Sequence, residues 1–417
     1  MEDRAISEVR SLILFLAGVA VVVALLTLWG GWALPVVIAA IFVMVMGHEF
    51  GHYIVAKREG MKVTDFFVGF GPVIWSTTRG DTRYGVRALL LGGYVKVPGM
   101  TWGEPLPEAQ EKRTYRSATY PRKVLFASAG SLMHLLMALV LAYASLAFIG
   151  SFSSSAVGVS AFTTWQGHKQ NAAQLAGLKI GDRIEAIDGK RVTSPDELVN
   201  QVHHSVGKNL TLTVVRHGTT VTLHATPVAG GSIKVSGEQL SKNAGYIGVG
   251  LQELSVRKSW YAAFPDAFAQ IGTTLSLAVH AMVHVFSPGE FSSLFHQVAS
   301  TSAAENTHNQ LNRPESIVGV VRIAVQGAQS GPSVLLEILM IVNIFVGVLN
   351  MLPMLPLDGG YVAIATYERL RSRHGARYQA NVNLLAPFVY MFMTVLLVLF
   401  ASTLYLDIVH PIANPFQ

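Results

Sequence analysis

Residues 36–52 read VVIAAIFVMVMGHEFGH, an apolar run that leads directly into two histidines and a glutamate. On a helix His48 and His52 stand at i and i+4, on one face, where they can share a zinc ion. Glu49 between them is placed to accept a proton from a water molecule that the zinc activates. A hydrolytic site at this depth implies a substrate that also lies in the membrane.

The alternative for this motif is a pair of packing histidines beside a glutamate turned away from lipid. Each ionisable group in a span costs about 2.5–3.5 kcal/mol on insertion scales. Three such groups within five residues therefore need a compensating partner, which a divalent cation supplies.

The composition indicates a membrane protein with several spans and a moderate soluble part. The 417 residues are 51% hydrophobic and 13% charged, whereas soluble domains carry about a quarter charged residues. Cysteine is absent, which excludes disulfides, thiolate metal sites and a cysteine nucleophile. The net charge of +6 gives no reason to expect a nucleic-acid partner.

The predicted fold is a polytopic α-helical membrane protein with an inserted β-rich domain. Residues 12–29 and 36–58 are read as two spans, because together they exceed one span of about 20 residues. A cleaved signal peptide is the alternative for the first, although no small-x-small cleavage site follows it. The predicted segments are two N-terminal transmembrane helices in 1–58, a cytoplasmic or membrane-re-entrant β region in 59–123, a transmembrane helix in 124–149, an extracytoplasmic β-rich domain in 150–255, an amphipathic interfacial segment in 256–333, and C-terminal transmembrane helices in 334–417.

The charge distribution predicts the orientation. Residues 57–123 hold 12 Lys or Arg against 6 Asp or Glu, while residues 150–255 are nearly balanced at 9 and 7. A cytoplasmic N-terminus places the basic loop and the arginine-rich run at 369–377 inside, as the positive-inside rule requires. The β-rich domain then lies outside.

Two histidines leave a catalytic zinc site one protein ligand short. Asp358 is the candidate, because it follows the fourth span in a proline-rich break at 350–360. Such a break is tolerated at membrane depth where it is buried in protein or lines a wet cavity. The alternative is that Asp358 is a turn or cap residue before two glycines. His280 and His284 share the i, i+4 spacing but lack the glutamate, and are read as interfacial helix residues.

Taken together, the HExxH span, the extracytoplasmic insert and the pattern NxxPxxxxDG at 350–359 resemble the site-2 proteases, which are intramembrane zinc metalloproteases. The bacterial regulator-of-sigma-E protease branch is most similar, and the form LPMLPLDGG at 352–360 looks like its actinobacterial members. The resemblance implies one zinc ion held by His48, His52 and Asp358, with Glu49 as general base. It implies that Asn350 orients substrate or stabilises the oxyanion.

The same resemblance assigns a role to the glycines of the basic loop. Gly69 and Gly71, with Gly92 and Gly93, resemble the family's membrane-re-entrant β-hairpin, whose edge would pair with an extended substrate. An ordinary cytoplasmic hairpin is the alternative. The family often has Gly-Pro and Asn where this chain has the run AGSLMH ending at His134, so His134 either makes a polar contact near the site or only packs.

Residues 176–192, AGLKIGDRIEAIDGKRV, resemble the bacterial PDZ pattern. The predicted ligand region comprises Gly177, Leu178, Gly181 and Asp182. PDZ domains bind an extended peptide by strand addition, so the domain is read either as a receptor for a cleaved substrate end or as a steric filter that excludes bulky ectodomains.

The sequence thus predicts peptide-bond hydrolysis in the bilayer, with single-span membrane proteins as substrates. An anti-sigma factor is the target class that the resemblance implies. The rival hypothesis is a non-catalytic membrane scaffold or receptor that works through its PDZ domain. A zinc transporter is disfavoured, because the other spans are nearly uncharged.

Overall fold

The structure is a computed structural model that describes residues 2–100, 107–163, 165, 170–192, 194–216, 218–235, 238–239, 241–306, 313–372, 378–412 and 414. The chain divides into two compact units, Met1–Tyr143 with Phe264–Gln417, and Ala144–Ala263.

The helices are α1 Glu2–Gly30, α2 Ala33–Arg58, α3 Glu108–Glu111, α4 Tyr120–Ala144, α5 Ala172–Leu175, α6 Pro195–His203, α7 Trp260–Val285, α8 Pro288–Ala299, α9 Thr301–Ala304, α10 Ile317–Ser330, α11 Pro332–Asn350, α12 Asp358–Arg371 and α13 Ala386–Val409. The strands are β1 Asp65–Arg79, β2 Thr82–Lys96, β3 Ser151–Phe162, β4 Arg183–Ile187, β5 Lys190–Arg191, β6 Leu210–Arg216, β7 Thr219–Ala225, β8 Val228–Ala229, β9 Lys234–Val235, β10 Glu238–Gln239, β11 Gly245–Tyr246 and β12 Val249–Val256.

Among the described residues, five helices are long and apolar enough to cross a membrane. They are α2, α4 with the π-helical turn Ser145–Ile149, α7, α11, and α13 with the turn before it. A shorter apolar stretch, Phe15–Gly30, lies within α1. The protein is therefore a multi-pass membrane protein, as its composition predicts.

Helix α7 lies within the segment 256–333, which the sequence predicts to be amphipathic and interfacial. It is 26 residues long and contains Asp266 as its one Asp, Glu, Lys or Arg. At its end Phe286 lies 6.4 Å from Phe392 in α13, measured between ring centres. Leu294 of α8 then packs near Leu406, towards the other end of α13. The described contacts of α8 therefore lie along α13.

Small residues bring α2 close to its neighbours. Ala33 and Val37 of α2 pack with Ala324 and Ala328 of α10, and the cluster is completed by leucines of α11. Close approach at small side chains is typical of helix association in membranes. The break before α2 occurs at Gly31, whose φ of +71° ends α1 in the left-handed conformation that glycine adopts freely.

Strands β1 and β2 form a long hairpin that folds on itself. Residues 65–68 pair with 83–86 on one side and with 93–96 on the other, and residues 73–79 pair with 82–87. Gly69 and Gly71, with φ of +85° and +81°, allow β1 to bend between these two pairings. Segment 93–96 pairs on one side only within the described residues, which leaves its other edge without a strand partner.

The second unit is built around a sheet in the order β12-β3-β4-β6-β7, with β5 paired to β4. Its core contains Ile184, Leu198 and Leu212, each at most 2% exposed. Asp188 and Gly189 both have positive φ, +48° and +75°, which is the type I′ turn that Asp-Gly predicts. Strands β6 and β7 form an antiparallel hairpin over residues 210–225.

Candidate metal centre

Helix α2 places His48 and His52 on one face, and two glycines, Gly51 of α2 and Gly130 of α4, let the two helices approach closely there. A Cβ on Gly51 would lie 2.6 Å from the carbonyl oxygen of Ala129. The contact at Gly130 on α4 is closer still, because a Cβ added there would contact the ring of His48 and would lie 2.6 Å from His52 Nε2. The backbone of α4 therefore forms one wall against the two imidazoles.

Asp358 is brought to the same place by the proline-rich break. It is the first residue of α12, and the cap position before it, Leu357, makes no side-chain cap hydrogen bond. A Cβ on Gly360 would lie 2.7 Å from the backbone nitrogen of Leu355, so this glycine lets the break fold tightly against α12. Asp358 therefore points to the histidines and does not cap a helix.

The three predicted ligands meet at their metal-binding atoms. His48 Nε2 and His52 Nε2 lie 3.2 Å apart, and Asp358 Oδ2 lies 3.4 Å and 3.2 Å from them. Bonds of about 2.0–2.1 Å meeting at tetrahedral angles set neighbouring ligand atoms about 3.3–3.4 Å apart. Asp358 Oδ2 is buried and has no hydrogen-bond partner among the described residues. The spacing and the unpaired oxygen both fit a zinc ion.

His52 has the outer hydrogen bond that fixes a metal-binding imidazole. Its Nδ1 lies 2.9 Å from the backbone oxygen of Phe126. Because that oxygen can only accept, Nδ1 carries the proton and Nε2 keeps its lone pair for a metal. No sequence signal marks Phe126, since the contact is made by its backbone.

Glu49 opens onto a cavity of about 190 Å³ beside the three ligands. Its walls include Tyr94 and Val95 of β2, and Met100 and Tyr361 close another side. A second cavity of about 250 Å³ shares Met100 and Tyr361 as a wall. Both volumes are large enough for several water molecules.

The second cavity is lined by a buried ion pair that joins α4 to α12. Lys123 Nζ lies 2.7 Å from Glu368 Oε2, and the other oxygen of Glu368 accepts from the backbone nitrogen of Ala380. This pair holds α12, which begins with Asp358, against the start of α4.

The predicted hairpin glycines lie beside the metal centre on the β2 side. A Cβ on Gly93 would lie 2.8 Å from Sδ of Met46, which precedes His48 by two residues on α2. Gly92 has a φ of +143°. The two glycines let strand β2 run against α2 where Glu49 is placed.

The ligand triangle does not include Asn350, nor the histidines at positions 134, 280 and 284. Asn350 is the last residue of α11, is partly exposed, and is not among the described residues that line the cavity. His134 is buried, with its ring centre 5.1 Å from that of His48. His280 is exposed, and His284 pairs with Glu290 at 3.2 Å; neither belongs to the group that could hold a metal.

A second candidate site is a groove in the β-rich unit. It is a cavity of about 110 Å³ between α6 and the segment 245–251, and Leu198, Val202 and Tyr246 are among the residues that line it. Strand β12 is at the edge of its sheet. The groove therefore combines an apolar floor with a strand that, in the part of the chain that the structure describes, pairs on one side only.

The predicted ligand region at 177–182 lies apart from this groove. Leu178 is buried in the core of the unit, and Asp182 is 1% exposed and paired with Arg216. Arg216 also donates to the carbonyl oxygen of Gly177 at 2.8 Å. These residues hold the unit together, and none of them lines the described groove.

Comparison with known proteins identifies the family of the chain. Residues 36–396 match Peptidase family M50. The zinc metalloprotease Rip1 of Mycobacterium tuberculosis is 33% identical over 402 residues, which cover 89% of this chain and 96% of the relative. Rip1 of Mycolicibacterium smegmatis is 27% identical over 417 residues, with 90% and 96% covered. The chain therefore belongs to peptidase family M50, and it is a zinc metalloprotease of the site-2 type.

Proposed function

We propose that the chain cleaves the transmembrane segments of single-span membrane proteins, with His48, His52 and Asp358 holding one zinc ion. The observation that carries this proposal is the ligand triangle of 3.2–3.4 Å edges next to the cavity of Glu49. When bound, the zinc would activate water and polarise the scissile carbonyl.

Glu49 is proposed to move the protons of the reaction. Its carboxylate takes a proton from the attacking water and passes it to the leaving amine of the cleaved peptide bond. The position supports this role, because Glu49 lines the cavity together with the metal-binding side chains. For Asn350 we propose a contact with substrate, since it is partly exposed and lies outside the cavity lining.

An extended substrate is proposed to pair with segment 93–96 of β2. This edge has no strand partner among the described residues, and Tyr94 and Val95 line the same cavity as Glu49. A substrate helix hides its carbonyl groups in backbone hydrogen bonds, so it must unwind before cleavage. Strand addition replaces those hydrogen bonds while presenting a carbonyl to the centre.

We propose that the N-terminus is cytoplasmic and that the β-rich unit is outside a bacterial plasma membrane. Positive residues concentrate in 57–123 and in the run 369–377, on the same side in this orientation. Helix α7 adds a candidate span, so this orientation requires the chain to cross back between α7 and α11. The contact of α8 with α13 supports such a return.

The β-rich unit is proposed to be a PDZ domain whose ligand lies between α6 and β12. The apolar lining and the edge position of β12 support binding of an extended peptide by strand addition. A cleaved substrate end, including that of an anti-sigma factor, has the required extended form. A steric filter needs the bulk of this unit but no groove, so the groove favours the receptor role.

The decisive experiment compares purified full-length wild type with Glu49→Gln in zinc-containing liposomes that carry a single-span reporter substrate. Glu49→Gln removes the proton acceptor but none of the metal-binding atoms, so it should retain zinc and lose cleavage. Glu59→Gln is the matched control, since Glu59 lies at the end of α2 and pairs with Arg122. This control should cleave like wild type.

Cleavage by the Glu49→Gln protein would contradict the proposed mechanism. A chain that binds substrate peptides but never cleaves them, with or without Glu49, would favour the scaffold or receptor hypothesis.

A further inference from the structure

The two histidine ligands differ in what holds their outer nitrogen. Nδ1 of His52 has the backbone oxygen of Phe126, whereas Nδ1 of His48 is buried with no hydrogen-bond partner among the described residues. Because Nε2 of His48 faces the ligand triangle, Nδ1 must carry the proton when a metal is bound. A buried N–H without an acceptor costs about 1–3 kcal/mol, so an acceptor near His48 is required.

His134 is placed to be that acceptor. It lies one helical turn after Gly130, and its ring centre is 5.1 Å from that of His48, with 43° between the ring planes. A direct N–H···N bond of about 3 Å between two imidazoles sets their centres roughly 5 Å apart. The observed separation is compatible with such a bond, which the structure itself does not show, and the tilt excludes parallel stacking.

Asn343 fixes which nitrogen of His134 is free. Its Nδ2 donates to the carbonyl oxygen of Leu339 at 2.8 Å, so its Oδ1 is the atom that faces His134 Nδ1 at 3.1 Å. An amide oxygen can only accept, so His134 Nδ1 carries the proton and Nε2 has a free lone pair. Both residues are buried, at 1% and 2% exposure, which protects this arrangement from water.

We propose that His134 is the outer hydrogen-bond partner of the metal ligand His48. In the metal-loaded site His134 Nε2 accepts from His48 Nδ1–H, and Asn343 holds His134 in the tautomer that can accept. His134 is thus a positioning residue that acts through His48. The inference rests on the proposed zinc site, and it explains why a histidine and an asparagine occupy facing positions of two apolar helices.

The backbone of Gly130 is the competing acceptor. It lies close enough to His48 to interact with it, and among the described residues neither this backbone nor His134 meets full hydrogen-bond geometry with the buried Nδ1. A side-chain substitution at position 134 leaves that carbonyl in place, so metal affinity separates the two possibilities.

The test measures zinc affinity of full-length protein in detergent by competition with a fluorescent chelator, together with the Co²⁺ absorption spectrum. His134→Phe keeps a buried ring without an acceptor and should weaken zinc binding about 10–100-fold, as loss of an outer partner typically does. His134→Gln carries an acceptor oxygen close to the Nε2 position and should recover most of the loss. His280→Phe is the matched control on exposed α7 and should bind zinc like wild type.

A double substitution tests the role of Asn343. Asn343→Leu should weaken zinc binding in the wild-type background and add nothing in the His134→Phe background, because it acts through His134. If His134→Phe fails to fold, as judged by gel filtration, the Asn343→Leu and His134→Gln proteins still carry the test.

Two failures are distinguishable. Wild type that binds no stoichiometric zinc would overturn the proposed metal site itself. Wild type that binds zinc, with His134→Phe or Asn343→Leu of equal affinity and an unchanged Co²⁺ spectrum, would overturn only the role of His134 and would favour the Gly130 carbonyl.

Discussion

Two buried aspartates, one in each unit, are held in opposite ways. Asp182 of the β-rich unit receives two bonds of 2.7 Å from Arg216 and a third from the backbone nitrogen of Lys179. Asp358 of the membrane unit presents Oδ2 to two imidazole nitrogens and has no hydrogen-bond partner for it among the described residues. The first carboxylate is satisfied by the protein alone, whereas the second lacks a positive charge.

The pairing of the two carboxylates distinguishes a structural role from a metal-binding role better than the sequence motifs do. Both aspartates stand next to a glycine in a sequence motif, and the sequence predicts a binding role for both. A buried charge is expensive unless it is paired. The pairing of Asp182 is complete, so it contributes to folding, while the incomplete pairing of Asp358 marks a place for a cation.

The largest expected effect comes from exchanging each carboxylate for an amide. Asp358→Asn should weaken zinc affinity by more than the 10–100-fold that is typical of outer-sphere changes. It should lose cleavage as well. Asp182→Asn, the matched substitution in the other unit, should retain one zinc per chain. Metal content of the purified proteins, measured by atomic emission, checks both. Full zinc retention by Asp358→Asn would remove the distinction between the two aspartates.

A smaller but still large effect should follow from closing the wall of the metal centre. Gly130→Ala places a methyl group against the ring of His48 and 2.6 Å from His52 Nε2, so it should lower zinc content and cleavage together. Gly272→Ala on α7 meets no atom within 4 Å and serves as the matched control. Equal zinc content in the two variants would show that α4 can move away from the ligands.

The smallest effect is a pH dependence confined to the β-rich unit. Burial opposes ionisation of Asp182, but hydrogen bonds from Arg216 and from the Lys179 amide outweigh it and hold its pKa below the ordinary value. A lowered pKa contributes stability that is present above the unfolded pKa of about 3.9 and is lost as the pH falls through the folded value.

Asp182→Asn should therefore destabilise the β-rich unit by about 1–3 kcal/mol at pH 7, with faster hydrogen exchange in β4 and β6. The difference in stability of the β-rich unit between wild type and variant should shrink as the pH falls below about 3.9. A difference that persists unchanged at pH 2 would show that the pair contributes nothing through its charge.

Much of the metal centre follows from local sequence. The i, i+4 spacing places His48 and His52 on one face of a helix whatever surrounds it, and the glycine-containing turns at Gly31 and Asp188-Gly189 adopt the conformations that their residues favour. Asp358 could be nominated because a carboxylate after a proline break in an apolar region has few alternatives.

The remaining contacts depend on packing between distant segments. His134 meets Asn343 across 209 positions, and Lys123 meets Glu368 across 245; no local pattern encodes either pair. In the β-rich unit, Asp182 and Arg216 likewise close on each other only after β4 and β6 pair.

The distance along the chain between the ligands has a consequence for synthesis. His48 and His52 are made first, and Asp358 follows about 300 residues later. At about 5–20 residues per second, a nascent chain carries only two of the three ligands for roughly 15–60 s. During that interval the β-rich unit is completed before the last ligand exists, so a ribosome-bound chain holds a hydrolytic centre that is still unassembled.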